Sequence, residues 1–246
     1  MRKVLASARP ALLERIVMRC PGQCAVCRSW STQRVCADCL QRFARPLPRC
    51  WTCALQLPPE RLGHPAPRCG ACLATPPPLD RTIAALDYAF PWDGLLQRYK
   101  FHQALDLRDT LLDRLDGALS AAVAEMPDWL IAVPLSVERL RERGYNQSHE
   151  LARALARRRG LRYGMGMLLR LHGGRPQSGL KASERIANVR HSFAVEPARL
   201  ADLQDSHVAV LDDVMTTGAT MHEVARVLRQ AGVAKVQAWV IARTPE

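Results

Sequence analysis

One stretch constrains this chain more than any other: Val208 to Met221, VAVLDDVMTTGATM. It opens on the apolar run Val208-Ala209-Val210-Leu211 and passes two adjacent carboxylates, Asp212 and Asp213. It then reaches Thr216-Thr217-Gly218-Ala219-Thr220, and an apolar helical pattern follows. An apolar run that ends in a small polar loop predicts a buried strand of a parallel sheet feeding a helix. Such sheets bind ligands at the carboxyl ends of their strands. The loop has what a phosphate needs. Gly218 lets the backbone approach closely, and successive N–H groups form an anion nest. The helix N-terminus adds partial positive charge, and three threonine hydroxyls donate further bonds. The two carboxylates suit sugar hydroxyls instead, or the water shell of a Mg²⁺ that a diphosphate brings with it. A loop that takes both a phosphate and a ribose diol is a phosphoribosyl site. The competing reading is an ordinary strand–loop–helix joint rich in Asp and Thr, but this order of parts is hard to reach by chance.

The other constraint is at the opposite end. All nine cysteines precede residue 73. Eight form four pairs with two residues between members: Cys24/Cys27, Cys36/Cys39, Cys50/Cys53 and Cys69/Cys72. That spacing turns both sulfurs of a pair toward one ion, and two such knuckles make a closed tetrahedral zinc site. The expectation is a structural, non-catalytic zinc ribbon, double if neighbouring pairs combine in order; a crossed pairing stays open. Cys20 is left over, as a bystander or as a substitute for Cys24. Disulfides are disfavoured because the larger part of the chain has no cysteine and no secretory signal is visible. Ala74-Thr75-Pro76-Pro77-Pro78 is a stiff linker. It sets the expected domains at 1–78 for the zinc ribbon and 79–246 for the remainder.

Formal net charge is +12, of which +8 lies in the first 80 residues. A basic excess of this kind points to a phosphate-bearing partner, most economically nucleic acid. Two zinc-bound Cys₄ sites, at about −2 each, lower that excess to about +4. Arg28, Arg34, Arg42, Arg45 and Arg49, with Trp30, Phe43 and Trp51, offer cations and stacking faces. The competing reading is a solvated basic surface with the aromatics packed beside the metal. No apolar run is long enough to span a bilayer. The expected location is the cytoplasm, with at most a peripheral surface helix near residues 10–19 at the membrane's inner face.

In chain order, residues 82–90 read as an antiparallel strand or edge hairpin. Residues 95–119 read as two helices broken near His102. Trp129–Val133 reads as a parallel strand whose carboxyl end opens into a loop over 135–146. There, Arg139 and Arg143 can present guanidinium forks to a diphosphate. Residues 147–159 read as a helix stopped by Gly160, with Arg157-Arg158-Arg159 complementing its dipole. Met167–Leu171 reads as the next strand. The glycine-rich stretch 172–183 suits a mobile loop; Gln177 and Lys181 within it and Arg185 just after it are candidate site residues. A helix over 220–229 and a last parallel strand over 236–242 complete an α/β domain.

VAVLDDVMTTGAT resembles the phosphoribosyl-pyrophosphate (PRPP) motif of the type I phosphoribosyltransferases. The whole chain resembles the ComF family, the ComFC- and GntX-like competence proteins. RLRERGYNQ, PQSGLKASERIANVRHSF and the segment around Lys100 agree with that family. The resemblance implies a type I phosphoribosyltransferase-like doubly wound parallel sheet with a small N-terminal zinc-ribbon domain. It implies PRPP with Mg²⁺ at Asp212, Asp213, Thr216, Thr217, Gly218, Ala219, Thr220, Arg139 and Arg143. Asp212, Asp213 and Lys181 are the catalytic candidates should transfer occur. It assigns Lys100 no role. It also implies handling of incoming single-stranded DNA in natural transformation, with a helicase and recombination-mediator proteins as partners. The alternatives are a metabolic phosphoribosyltransferase acting on a nitrogen nucleophile and a PRPP sensor without turnover. No base-binding pattern for a purine or pyrimidine is visible.

Overall fold

A computed structural model describes residues 21–61, 65–171 and 191–245. Cys20, Gln177, Lys181, Arg185 and the glycine-rich loop over 172–183 lie outside the described residues. So does the surface helix expected near residues 10–19. By compactness the chain divides between Ala44 and Arg45.

The first unit carries β1 (Gly22–Gln23) and β2 (Trp30–Ser31), an antiparallel pair, then helix α1 (Ala37–Phe43). Cys24, Cys27, Cys36 and Cys39 gather here, all sulfurs within 4.8 Å of one another. The second unit opens with the same plan. Cys50, Cys53, Cys69 and Cys72 gather within 4.8 Å, and α2 (Gly70–Ala74) follows Cys69 as α1 follows Cys36. The two knuckles match bond for bond. Arg28 N donates to Cys24 O and Cys24 N to Ser29 O; Ala54 N donates to Cys50 O and Cys50 N to Leu55 O. The residue after each second cysteine, Arg28 or Ala54, has positive φ. The pairing is therefore sequential, not crossed.

The rest of the second unit is built on a five-stranded sheet in the order β3-β9-β8-β4-β5, every neighbouring pair parallel. The strands are β3 (Arg81–Asp87), β4 (Trp129–Ala132), β5 (Arg162–Tyr163), β8 (His207–Met215) and β9 (Lys235–Arg243). Helices α3 (Trp92–Phe101), α4 (Arg108–Ala121), α5 (Val137–Arg143), α6 (Gln147–Arg159), α7 (Leu200–Leu203) and α8 (Ala219–Gln230) connect and cover them. Strands buried on both faces explain the continuous apolar runs of β8 and β9. Beneath α8, Val224, Ala225 and Leu228 are fully buried against this sheet. Each buried Val or Leu contributes about 1.5–3 kcal/mol.

Three expectations change. β3 is an edge strand but runs parallel to β9, buried at Thr82–Ala84 and Leu86 despite its loose alternation. The stretch expected as a loop over 135–146 holds α5, started by Ser136, whose Oγ accepts from Arg139 N. Met167–Leu171 supplies β6 (Leu168–Arg170), which leaves the main sheet to pair antiparallel with β7 (Phe193–Val195). The arginines of the last turn of α6 lie as expected, and two of them also reach α4: Arg158 meets Asp113 at 2.7 Å and Arg159 meets Asp116 at 2.5 Å. The helix break near His102, the Gly160 stop of α6 and the last helix and strand lie as expected.

Candidate functional site

The carboxyl ends of β8 and β4 open into one cleft. It is lined by Asp212 to Met221 from β8 and its loop, Arg139 and Arg143 from α5, Gln147, Lys100 and Arg170. Every described residue predicted for the phosphoribosyl site is thus brought together. Gly218 caps α8 with φ +83°, a conformation that favours glycine. An added Cβ there would lie 2.8 Å from Met215 Cε and 2.9 Å from His222 Nε2. Thr217 Oγ1 accepts from Ala219 N at 3.4 Å, which tightens the turn into the helix.

The carboxylates differ in their surroundings. Asp213 points to Lys100, whose Nζ is 2.9 Å from Oδ1, with the carboxylate only 5% exposed. Its Oδ2 is buried with no hydrogen-bond partner among the described residues. Asp212 Oδ1 accepts from Ser148 Oγ at 2.7 Å and from Asp213 N at 2.9 Å. Burial and the neighbouring Asp213 charge push the Asp212 carboxyl up to about 6. An oxygen without a partner and a carboxyl kept from easy ionisation mark a place that a polar ligand or cation completes.

Four cations face these two carboxylates: Lys100, Arg139, Arg143 and Arg170. Burial lowers the pKa of Arg143 and Arg170, yet a guanidinium stays charged at neutral pH. Arg143 lies over the exposed ring of Phe101, 4.6 Å from its centroid, and Arg170 over Phe193 at 5.1 Å. Both contacts are of the cation–π kind. The cleft thus carries more positive than negative charge. That suits a ligand with a diphosphate at one end and a monophosphate at the other.

Asn146 joins the two strand ends. Its Oδ1 caps α6 by accepting from Ser148 N and His149 N at 3.0 and 3.2 Å. Its Nδ2 donates to Val133 O at 3.1 Å, just beyond β4. This sets Ser148 against Asp212 and places Gln147, 3% exposed, in the cleft wall, with Oε1 unpartnered among the described residues. Sequence reasoning missed Gln147, Ser148 and Arg170, and gave Lys100 no role. The first two look like ordinary first-turn residues, and Arg170 is one of thirty-one arginines.

The cysteine clusters have the chemistry of metal sites. Neighbouring sulfurs lie 3.6 Å apart, Cys27 to Cys36 and Cys53 to Cys69. A tetrahedral ion with metal–sulfur bonds near 2.3 Å sets its sulfurs about 3.8 Å apart, whereas a disulfide needs about 2.05 Å. Backbone N–H groups donate to the sulfurs: Cys36 N to Cys24 and Cys69 N to Cys50, each at 3.3 Å. Such bonds suit thiolates. Of the candidate stacking faces, Trp30 is 75% exposed, while Trp51 is covered by Arg81 at 3.7 Å. Arg49 pairs with Asp87 at 2.8 Å.

Residues 152–246 match the family model for the phosphoribosyl transferase domain. Over 231 residues the chain is 32% identical to the DNA utilization protein YhgH of Salmonella typhi, covering 91% of this chain and 98% of that one. It is 32% identical over 171 residues to Competence protein F of Haemophilus influenzae, covering 68% and 74%. It is 30% identical over 150 residues to Competence protein ComFC of Bacillus subtilis, covering 61% and 58%. A parallel α/β sheet with a phosphoribosyl transferase match, preceded by two four-cysteine clusters and related over 91% of its length to the DNA utilization protein and over 68% to Competence protein F, places the chain in the ComF family.

Proposed function

We propose that this protein handles single-stranded DNA taken up from outside the cell and carries a site that binds PRPP with Mg²⁺. The observation that carries the PRPP half is one cleft with two adjacent carboxylates, a threonine-glycine loop on a helix N-terminus and four cations. The loop would take the 5-phosphate, Asp212 and Asp213 the ribose hydroxyls, and Arg139 and Arg143 the diphosphate. Mg²⁺ is a hard cation, and the carboxylates with their buried spare oxygen suit its water shell. When bound, it would neutralise diphosphate charge. Lys100 would hold Asp213 in the ligand-free protein and release it to the ligand.

The names of the relatives support the DNA half: one is a DNA utilization protein and two are competence proteins. The two thiol clusters would hold zinc as structural ions. Residues 1–78 would form the module that meets DNA or partner proteins, a helicase and recombination mediators among them. Exposed Trp30 would be a base-stacking face. Residues 79–246 would form the phosphoribosyl-binding domain, and Lys181 would reach the leaving diphosphate if transfer occurs. Among the described residues no helix is long and apolar enough to cross a membrane. That fits a cytoplasmic protein, peripheral at most.

Calorimetry with Mg·PRPP tests the PRPP half: measurable binding is expected, and its loss in the Asp212→Asn, Asp213→Asn double variant. A wild-type chain that ignores Mg·PRPP would sink this reading. Single-stranded DNA binding should weaken steeply with salt. Its absence even at low salt would remove direct DNA handling. Diphosphate release on adding a free base would turn the assignment toward a metabolic phosphoribosyltransferase.

A further inference from the structure

One buried side chain touches both the second thiol cluster and the phosphate loop. Arg243 ends β9 and is 4% exposed. Its guanidinium donates to four carbonyl oxygens. Nε donates to Cys53 O at 2.9 Å, and Nη1 to Met215 O at 3.3 Å, Thr244 O at 2.8 Å and Thr216 O. Cys53 belongs to the second thiol cluster. Met215 is the last residue of β8, and Thr216 is the first of the loop that follows.

Both ends of this bridge have directional consequences. A trans peptide is planar, so holding Thr216 C=O on the guanidinium turns the N–H of Thr217 the opposite way. An anion nest works only when successive N–H groups converge. At the other end, the knuckle aims the Cys53 carbonyl. Ala54 has φ +56°, and Ala54 N and Cys50 N close the knuckle on Cys50 O and Leu55 O at 2.9 and 2.7 Å. The knuckle is also tied to β3, where Thr82 Oγ1 donates to Thr52 O at 2.6 Å and Thr82 N to Trp51 O at 2.9 Å. A shared ion holds the shape of such a knuckle through its sulfurs. Guanidinium donors lie in one rigid plane. Arg243 therefore cannot follow a displaced Cys53 carbonyl without turning away from Thr216.

We propose that Arg243 is a positioning residue that couples metal occupancy of the Cys50/Cys53/Cys69/Cys72 cluster to the phosphate-holding geometry of the Thr216–Gly218 loop. The metal site thereby tunes affinity for the phosphorylated ligand. This inference rests on the phosphoribosyl reading of that loop. Coupling between two sites is reciprocal, so the ligand must also hold the metal more tightly.

The test uses the full zinc-loaded chain. Zinc release to a chromogenic chelator is followed with and without saturating Mg·PRPP. One of two ions is expected to leave at least about fivefold more slowly with ligand present. In Cys39→Ser, whose first cluster lacks a ligand, the slowing should persist; its loss would assign the effect to the other cluster and overturn the inference. Arg243→Lys keeps the charge and loses the fork. It should bind Mg·PRPP about tenfold more weakly and show no slowing, with zinc content retained. Equal release rates with and without ligand in a wild-type chain that binds Mg·PRPP would overturn the coupling. So would wild-type affinity in Arg243→Lys. If Arg243→Lys does not fold, the wild-type release rates decide. A wild-type chain that binds no Mg·PRPP would instead overturn the phosphoribosyl reading, seen in the binding arm before release is compared.

Discussion

Burial and a neighbouring charge hold Asp212 at a disadvantage. Burial and the adjacent Asp213 raise its carboxyl from 3.8 to about 6. The sign follows from linkage. The folded chain holds this proton more tightly than the unfolded chain does. Stability therefore falls as pH rises from about 4 to about 6, and the deficit is complete above that. Asp212→Asn removes the charge but keeps an oxygen for Ser148 and Asp213 N. Its melting temperature at neutral pH is expected to rise by a few degrees in scanning calorimetry, while Mg·PRPP binding weakens about 100-fold. A lower melting temperature would show that the carboxylate is not strained. Binding of Mg·PRPP needs the ionised carboxylate, so wild-type affinity should fall as pH drops through about 6. Titrations at about pH 5 and about pH 7.5 read this directly; a flat profile would exclude Asp212 from the ligand. At this scale the sequence was informative about the loop and the acids. It was silent on Lys100, because nothing near residue 100 shows that its ammonium reaches Asp213.

The site depends on how α5 and α6 leave the end of β4. Asn146 caps one helix and grips the strand at once. Asn146→Ala is expected to lower stability by about 1–2 kcal/mol in denaturant titration. It should also weaken Mg·PRPP binding, because Gln147 and Ser148 lose their register against Asp212. A stability loss with unchanged binding would make Asn146 structural only. Strongly periodic elements were readable: β8, β9, α6 and α8 fall where apolar spacing puts them. α5 was not, because VERLRER is mostly charged and its Val137 and Leu140 are both exposed. Its helix comes from a serine cap and from Gly144 with φ +76°, features that also fit a turn.

Across the whole molecule, the two thiol clusters repeat one design in two compact units. Metal analysis is expected to return two zinc ions per chain, and strong chelation should lower the melting temperature by ten degrees or more. Chains that stay folded and metal-free with all nine thiols free would refute this. The sequence by itself determined what local chemistry can specify: knuckle spacing, apolar strands, and a glycine where the chain must turn tightly. Sequential pairing of the knuckles followed once the chain was folded. Only the tertiary structure decided which distant charges meet. Arg243 reaches Cys53 across 190 residues of chain, and Lys100 reaches Asp213 from a helix that precedes the site strands. Those meetings follow from the strand order β3-β9-β8-β4-β5, which places the ends of β8 and β9 side by side next to the edge strand β3. Strand order is fixed by collective burial of both sheet faces, a property that no single stretch of the chain encodes.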